Sequence, residues 1–303
     1  MSVPYAKVII NPLAGAKAGQ RKWPRIKWQL EKAGLCFDYE FTQGTRHGME
    51  LTKTAVAQGY KLVVAVGGDG MVNEVVNGLI DPDGKSRADL GIISIGTAND
   101  FARSLGLPRK LDQSCHMLTS PKRAEVDVGA AEYVCQGEVK QRYFVNVAGA
   151  GFDAACVQAA RTFPKFLDAR LPYVGAFVKT IATYGRKDFL VSFNKAEAEE
   201  EEWHSLTVLV SNGRYTATLL FDPDADLGDG QFEVMSLGLS AMAQTLLKTY
   251  LRLPEGYRKV EYCRSNFVQM QSRQCLAVQA DGELLGELPA RFWVLPKALR
   301  VVA

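Results

Sequence analysis

Histidine is scarce in this chain: His47, His116 and His204 are the three in 303 residues, each far from the others. The six cysteines are equally scattered. The closest two, Cys263 and Cys275, stand 12 apart, and no CxxC occurs. A structural zinc needs such ligands at close spacing, so none is expected. A disulfide framework is not expected either, and the thiols read as buried or idle. Long apolar runs are missing as well. Val234–Leu247, among the longest uncharged stretches, has 14 residues, short of the roughly 18 that span a bilayer. The N-terminus, MSVPYAKVIINP, carries no basic region followed by an apolar one, so no secretory leader is expected. An excess of one charge is also lacking. The 36 basic and 33 acidic residues leave 36 − 33 = +3, with pI near 8.4. That is too mild for a nucleic-acid binder, where a pI above about 9 is usual.

What is present is an ordinary globular mixture, 47% hydrophobic and 23% charged. At about 100–200 residues per domain, the length favours two domains. The first 110 residues alternate short apolar runs with helical patterns. Strands are expected at Lys7–Ile10, Cys36–Thr42, Leu62–Val66 and Gly91–Ile95. Helices are expected at about 20–33, at Met49–Gln58, at Met71–Leu79 and at Asp100–Leu105. Strand, loop, helix, repeated, points to an α/β layer with parallel strands. The second half is strand-rich, with expected strands at Arg142–Val147, His204–Ser211, Phe232–Leu237, Asn266–Ser272, Gln274–Ala280 and Arg291–Leu295. Helical patterns remain only at about 153–186 and 239–252. This reads as an antiparallel, sandwich-like domain after a boundary near 120–135. The glutamate-rich run Glu197–Glu202 reads as a solvated hairpin tip.

Two glycine motifs are decoys. Gly149–Ala154 matches a relaxed dinucleotide fingerprint, but no βαβ array follows, nor a strand ending in an acid about 20 residues on. Gly84-Lys85-Ser86 resembles the end of a phosphate-binding P-loop, but Leu79 stands where its first glycine belongs.

The strongest signal is Gly67-Gly68-Asp69-Gly70, between a wholly apolar strand and a helix. Glycines let the backbone turn sharply and come close to a ligand. Amides at the following helix N-terminus suit phosphate oxygens. Asp69 is placed to serve Mg²⁺ or a proton, or simply to cap the helix. Gly96-Thr97-Ala98-Asn99 repeats the arrangement, with Thr97 or Asn99 as binding groups or as caps. Asn11-Pro12-Leu13-Ala14-Gly15 repeats it after the first strand. Three such loops after three buried strands are expected at one edge of one sheet.

These residues, with Val72–Gly78, Ile95–Arg103, Glu125–Gly129, Tyr143–Asp153, Asp229-Gly230 and Asp281-Gly282-Glu283, resemble the diacylglycerol kinase catalytic family, which includes soluble bacterial lipid kinases and sphingosine and ceramide kinases. The likeness runs in the family's order over nearly the whole chain. It implies an α/β plus all-β architecture of the NAD kinase/diacylglycerol kinase-like fold. A Rossmann-like domain over 1–130, rejoined by 286–303, would bind ATP. An antiparallel β-sandwich over 131–285 would take the lipid. Asn11, Pro12, Leu13, Ala14, Gly15, Thr42, Gly67, Gly68, Asp69, Gly70, Met71, Val72, Asn73, Thr97 and Asn99 would surround ATP. Glu283 would accept the lipid hydroxyl proton, with Asp69 the second catalytic carboxylate. Asp226, Asp229 and Gln231 would hold a structural Mg²⁺, Asp229 by its carboxylate and the others by backbone carbonyls. Asp127 would join a magnesium–water network with Asp69.

The activity so implied is ATP-dependent phosphorylation of a lipid hydroxyl by a cytoplasmic protein, peripheral to the inner face of the membrane. The partners are ATP and a lipid, with no nucleic acid, and a homodimer is left open. An NAD kinase-like enzyme with a soluble substrate is the alternative. A non-catalytic relative is another, because Met71 stands where the family usually has threonine. Residues 153–187 mix Phe163, Phe166 and Phe177 with basic residues, which suits a membrane-facing segment or a core-packed helix with a basic face. Over 140–190, eight bases against three acids give 8 − 3 = +5.

Overall fold

The computed structural model describes residues 6–160, 180, 183–193, 200–216, 219–220, 225–238 and 261–303. The chain divides into two compact units. The first draws on Met1–Val128, Leu227–Asp229 and Leu295–Ala303, and the second on Gly129–Asp226 and Gly230–Val294.

The first unit runs β1 (Ala6–Ile10), α1 (Ala14–Lys32), β2 (Phe37–Phe41), α2 (His47–Ala57), β3 (Leu62–Gly67), α3 (Asp69–Leu79), β4 (Asp89–Ser94), α4 (Asp100–Ser104) and α5 (Leu111–Met117). The strands lie parallel in the order β2-β1-β3-β4, with Val8 opposite both Tyr39 and Val64, and Ala65 opposite Ile92. Every residue of β3 is buried, as a central parallel strand covered on both faces requires. Trp23, Ile26 and Leu30 recur at helical spacing and seat α1 against this sheet. The helix begins earlier than periodicity indicated. Its first turn is built of small residues with no apolar stripe, and Asn11 shapes the entry by accepting the Leu13 amide on its side chain (2.9 Å). From β1 the chain steps outward to β2, then crosses to the other side of β1 to lay down β3. That reversal between β1 and β3 is where open α/β sheets bind ligands, beyond the carboxyl ends of the strands.

Strand β5 (Arg123–Cys135) leaves the first unit, and the second continues with β6 (Glu138–Phe144), β7 (Val147–Gly151), α6 (Phe152–Ala160), β8 (Lys187–Ser192), β9 (Glu201–Ser205), β10 (Thr207–Ser211), β11 (Tyr215–Thr216), β12 (Leu219–Leu220), β13 (Phe232–Leu237), β14 (Tyr262–Ser265), β15 (Phe267–Gln271), β16 (Ala277–Ala280) and β17 (Glu283–Val302). Its ladders are antiparallel: β14-β13-β10-β7-β16-β17 in one path, β17-β15-β8-β9 in another, and β5 with β6. Phe144 stacks on Phe232 (5.5 Å between centroids) and meets Phe292 edge-on (6.4 Å) in a core that also buries Phe189 and Trp203.

Several local expectations change. Arg142–Val147 is not one strand. The chain breaks at Val145-Asn146, whose amides turn to the Asp281 carboxylate. His204–Ser211 is two strands, β9 pairing with β8 and β10 with β13 and β7. The glycine motif Gly149–Gly151 lies in β7, flanked on both sides by antiparallel partners, so it is no dinucleotide loop. Glu200–Glu202 lie at the end of the β8–β9 hairpin, and residues 194–199 are outside the described residues. So are Phe163, Phe166 and Phe177 of the segment read as membrane-facing, and the expected helix at 239–252. Burial pushes the thiols of Cys115 and Cys156 up to about 12, which makes them inert.

Candidate active site

Four loops leave the carboxyl ends of the first unit's strands, and hydrogen bonds tie them together. The Asn11 amide donates to the Val66 carbonyl (3.0 Å), and the Thr42 amide to the Ile10 carbonyl (2.9 Å). The Gly67 carbonyl accepts from the Ile95 and Gly96 amides (2.9 and 3.2 Å). Asn11–Gly15, Thr42, Gly67–Asn73 and Thr97–Asn99 thus share one sheet edge, with the first and third loops flanking the strand-order reversal. Leu13, Gly70 and Thr97 face solvent, while Thr42, Met71, Val72 and Asn73 are buried. Gly96 packs against the Gly68 backbone so closely that a Cβ there would overlap the Gly68 Cα. Glycine at 96 is therefore a packing requirement between two loops.

Asp69 does not cap its own helix; Gly68 occupies that position. Its carboxylate reaches across to α4 and accepts the Phe101 amide (3.2 Å). Burial pushes the carboxyl up, and the amides of Phe101, Asn99 and Asp100 oppose this by stabilising the anion. Neither Thr97 nor Asn99 caps α4 by its side chain. Asn99 sits in the left-handed region (φ 53°) and folds back on Gly96, donating to its carbonyl (2.9 Å) and accepting its amide (3.1 Å).

Glu74, five residues along the same helix, acts likewise on α2. Its two carboxylate oxygens accept the Arg46 and Gly48 amides (2.9 and 2.8 Å) at the α2 N-terminus, where a negative charge complements the helix dipole. Helix α3 thereby grips α4 at one end and α2 at its middle, and Gly78 lets Thr52 of α2 come into contact. Met71 is 3% exposed. Its side chain lies by Gly67 and reaches Gly48, and its amide bonds the Gly68 carbonyl (2.9 Å). Residue 71 is a core position here.

Asp127 is fully buried. Its carboxylate accepts the Lys297 amide (2.7 Å) and its own amide donates to the Leu227 carbonyl (2.7 Å), so it joins β5 to both returning segments of the first unit. Two residues beyond Leu227 stands Asp229, which like Asp226 and Gln231 is exposed. One carboxylate and two carbonyls would make an all-oxygen donor set, the chemistry that suits a hard cation such as Mg²⁺. Among the described residues no group of three or more His, Cys, Asp or Glu side chains gathers.

Glu283 belongs to the second unit. Asp281 and Gly282 both have positive φ (46° and 78°), as a two-residue hairpin turn with right-handed strand twist demands. Asp281 also anchors that turn, accepting the amides of Val145 (2.9 Å), Asn146 (2.9 Å) and Val147 (3.1 Å). Glu283 is the first strand residue after the turn, and its carboxylate is oriented by Arg142 Nη2 at 2.8 Å. Arg142, Asp281 and Glu74 were not singled out for these roles by sequence reasoning. The Asp-Gly dipeptide between two strands was the available signal for the turn.

Comparison with known proteins gives the family and the fold. Residues 5–131 match the model of the diacylglycerol kinase catalytic domain, and residues 146–303 match that of the YegS C-terminal NAD kinase beta sandwich-like domain. The chain belongs to the diacylglycerol kinase catalytic family. Among curated members of this kinase family, the diacylglycerol kinase of Bacillus subtilis (strain 168) is 28% identical, covering 98% of this chain and 95% of its own. That of Staphylococcus saprophyticus is 27% identical, at 98% and 94% coverage. A crystal structure of a diacylglycerol kinase from Bacillus anthracis str. Sterne shares the fold, with a TM-score of 0.76 at 21% identity, covering 100% of this chain and 97% of that one. The family's architecture, an α/β N-terminal domain with an all-β C-terminal one, is the architecture described above.

Proposed function

We propose that this member of the family is an ATP-dependent lipid kinase acting at a membrane surface from the cytoplasmic side. The observation that carries the nucleotide half of this reading is the meeting of four loops at the strand-order reversal of the first unit. Phosphoryl transfer asks mainly for positioning and charge stabilisation. In this reading the Gly67–Asn73 and Asn11–Gly15 loops approach the phosphates by backbone, and Thr42, Thr97 and Asn99 border the nucleotide. Asp69 and Glu74 hold those loops rigid by gripping the neighbouring helices. Glu283, oriented by Arg142, takes the proton of the lipid hydroxyl. The oxygen then bonds to the γ-phosphorus as the bond to the ADP oxygen breaks. Asp229, with the carbonyls of Asp226 and Gln231, would hold a structural Mg²⁺ that fastens this stretch of chain when bound, and Asp127 fixes the chain beside them.

The test supplies labelled ATP with diacylglycerol, a sphingoid base, phosphatidylglycerol, a polyprenol and NAD in turn. Label in the lipid phase is expected. Label in the aqueous phase with NAD, or none at all, refutes the reading. Glu283→Gln is expected to abolish turnover and keep ATP affinity, and near-normal turnover would remove Glu283 from its role.

A further inference from the structure

Two opposite stripes run along α1. Trp23, Ile26 and Leu30 form the buried one. Arg21, Arg25, Trp28 and Lys32, at spacings of four, three and four, form the other, and all four are exposed. These two sets sit half a turn apart on a helix of 3.6 residues per turn. Trp28 is 54% exposed, and its ring carries the Lys32 ammonium at 4.9 Å. Beside the helix lies β2, the edge strand of the sheet, which exposes Tyr39 under the Lys27 ammonium at 5.4 Å.

The charge on this face is one-sided. From Gln20 to Lys32 the helix has five bases (Arg21, Lys22, Arg25, Lys27, Lys32) and one acid, Glu31, which pairs with Lys27 at 3.8 Å. On β2, Glu40 is paired with Lys7 (2.9 Å) and Asp38 accepts the Tyr60 hydroxyl (2.6 Å). Among the described residues Arg21, Lys22 and Arg25 have no salt-bridge partner. A protein of net charge +3 thus carries +4 (5 − 1) on one helix segment, and three of its bases, Arg21, Arg25 and Lys32, share the exposed stripe with the Trp28 ring.

We infer that the outward face of α1, with Arg21, Arg25, Trp28 and Lys32 at its centre, docks the protein on an anionic bilayer surface. Bases attract the acidic headgroups, and a half-exposed tryptophan between them has the amphipathic ring that settles at the lipid–water boundary. Polynucleotide would use the bases equally well. A lipid surface is favoured because a half-exposed tryptophan ring shares the stripe with lysine and arginine, and because the acceptor under the proposed function, on which this inference rests, is a lipid.

The experiment is co-sedimentation of the full chain with vesicles of phosphatidylglycerol and phosphatidylcholine, against phosphatidylcholine alone. It is run without nucleotide, so it reads docking only. Phosphorylation of detergent-dispersed lipid reads the kinase assignment separately. The wild type is expected to bind the anionic vesicles and to lose them as salt rises. At about fivefold per base near an anionic surface, Arg21→Gln/Arg25→Gln/Lys32→Gln should weaken partitioning roughly 100-fold. Trp28→Ser should abolish the blue shift of emission on binding. Arg21→Lys/Arg25→Lys keeps the charge and should bind as the wild type does, which separates charge from fold. Equal binding by the glutamine variant overturns the inference. So does a defect that appears with polynucleotide and not with vesicles.

Discussion

Removing the Asp281 carboxylate should loosen the turn that carries Glu283. In the native chain this one side chain accepts three amides, from Val145, Asn146 and Val147, and all three residues are buried. Asp281→Ala leaves these donors without an acceptor in a place water reaches poorly. Each orphaned buried amide costs about 1–3 kcal/mol. Three would cost about 3–9 kcal/mol, and local relaxation that admits water should hold the loss to about 3–5 kcal/mol. For a domain of this size that lowers Tm by roughly 6–20 °C. Asp281→Asn keeps one oxygen. With that oxygen at the Oδ1 position it still serves Asn146 and Val147, and its NH₂ faces the Val145 amide, so the loss should be smaller, about 1–3 kcal/mol. The assay is paired: thermal unfolding by circular dichroism, and turnover at a temperature where each variant is folded. Turnover should fall more than ATP affinity does, because the anchor lies in the second unit and the loops proposed for the nucleotide lie in the first. If Asp281→Ala melts within about 2 °C of the wild type, the anchoring argument fails.

Glu74→Ala should cost about 1–2 kcal/mol, the worth of a helix cap, and raise KM for ATP through the loop that bears Thr42; Glu74→Gln, which keeps one acceptor, should restore most of both, and an unchanged KM in Glu74→Ala would remove the positioning role. Gly70 has open space where a Cβ would go, whereas Gly96 abuts the Gly68 backbone. Gly96→Ala should therefore lower Tm while Gly70→Ala does not, and a loss of ATP affinity in stable Gly70→Ala would report a phosphate approaching the backbone; equal melting of the two variants contradicts the packing. Burial pushes the Asp153 carboxyl up, so the folded chain holds a proton there that the unfolded chain releases. That contribution is complete below the unfolded carboxylate pKa of about 3.9 and is lost as pH rises through the raised value. Asp153→Asn, which can still meet Thr207 and Gln279, should flatten the decline of Tm as pH rises above the ordinary carboxylate range of about 4, and a parallel decline in the variant would refute this.

Much of the first unit was legible because its strands are short, apolar and bounded by glycine loops. Those cues are local, and parallel topology then brings the loops to one edge without further information. The cross-loop contacts were not legible. Nothing in Gly67–Asn73 says that Asp69 will serve α4 and Glu74 will serve α2, since both partners lie about 30 positions away and are backbone amides, which carry no side-chain signature. The same limit hid the break at Val145-Asn146, a run that looks like continuous strand until Asp281, 135 residues on, claims its amides. The start of α1 was missed for the opposite reason: Ala14–Gly19 is a run of mostly small residues interrupted by glycine, with neither strong helix propensity nor an apolar period.

Strand β17 ties the order of synthesis to the order of folding. Residues 295–303 complete the first unit through the Val301–Leu90 pairing and the Lys297–Asp127 bond. Yet they leave the ribosome after all of 129–294. Until then the Asp127 carboxylate lacks the Lys297 amide and the β4 edge stands open. The first unit is therefore expected to mature last although most of it is made first, and a fragment stopping at residue 131 is expected to be a sticky, half-closed sheet instead of a free-standing domain.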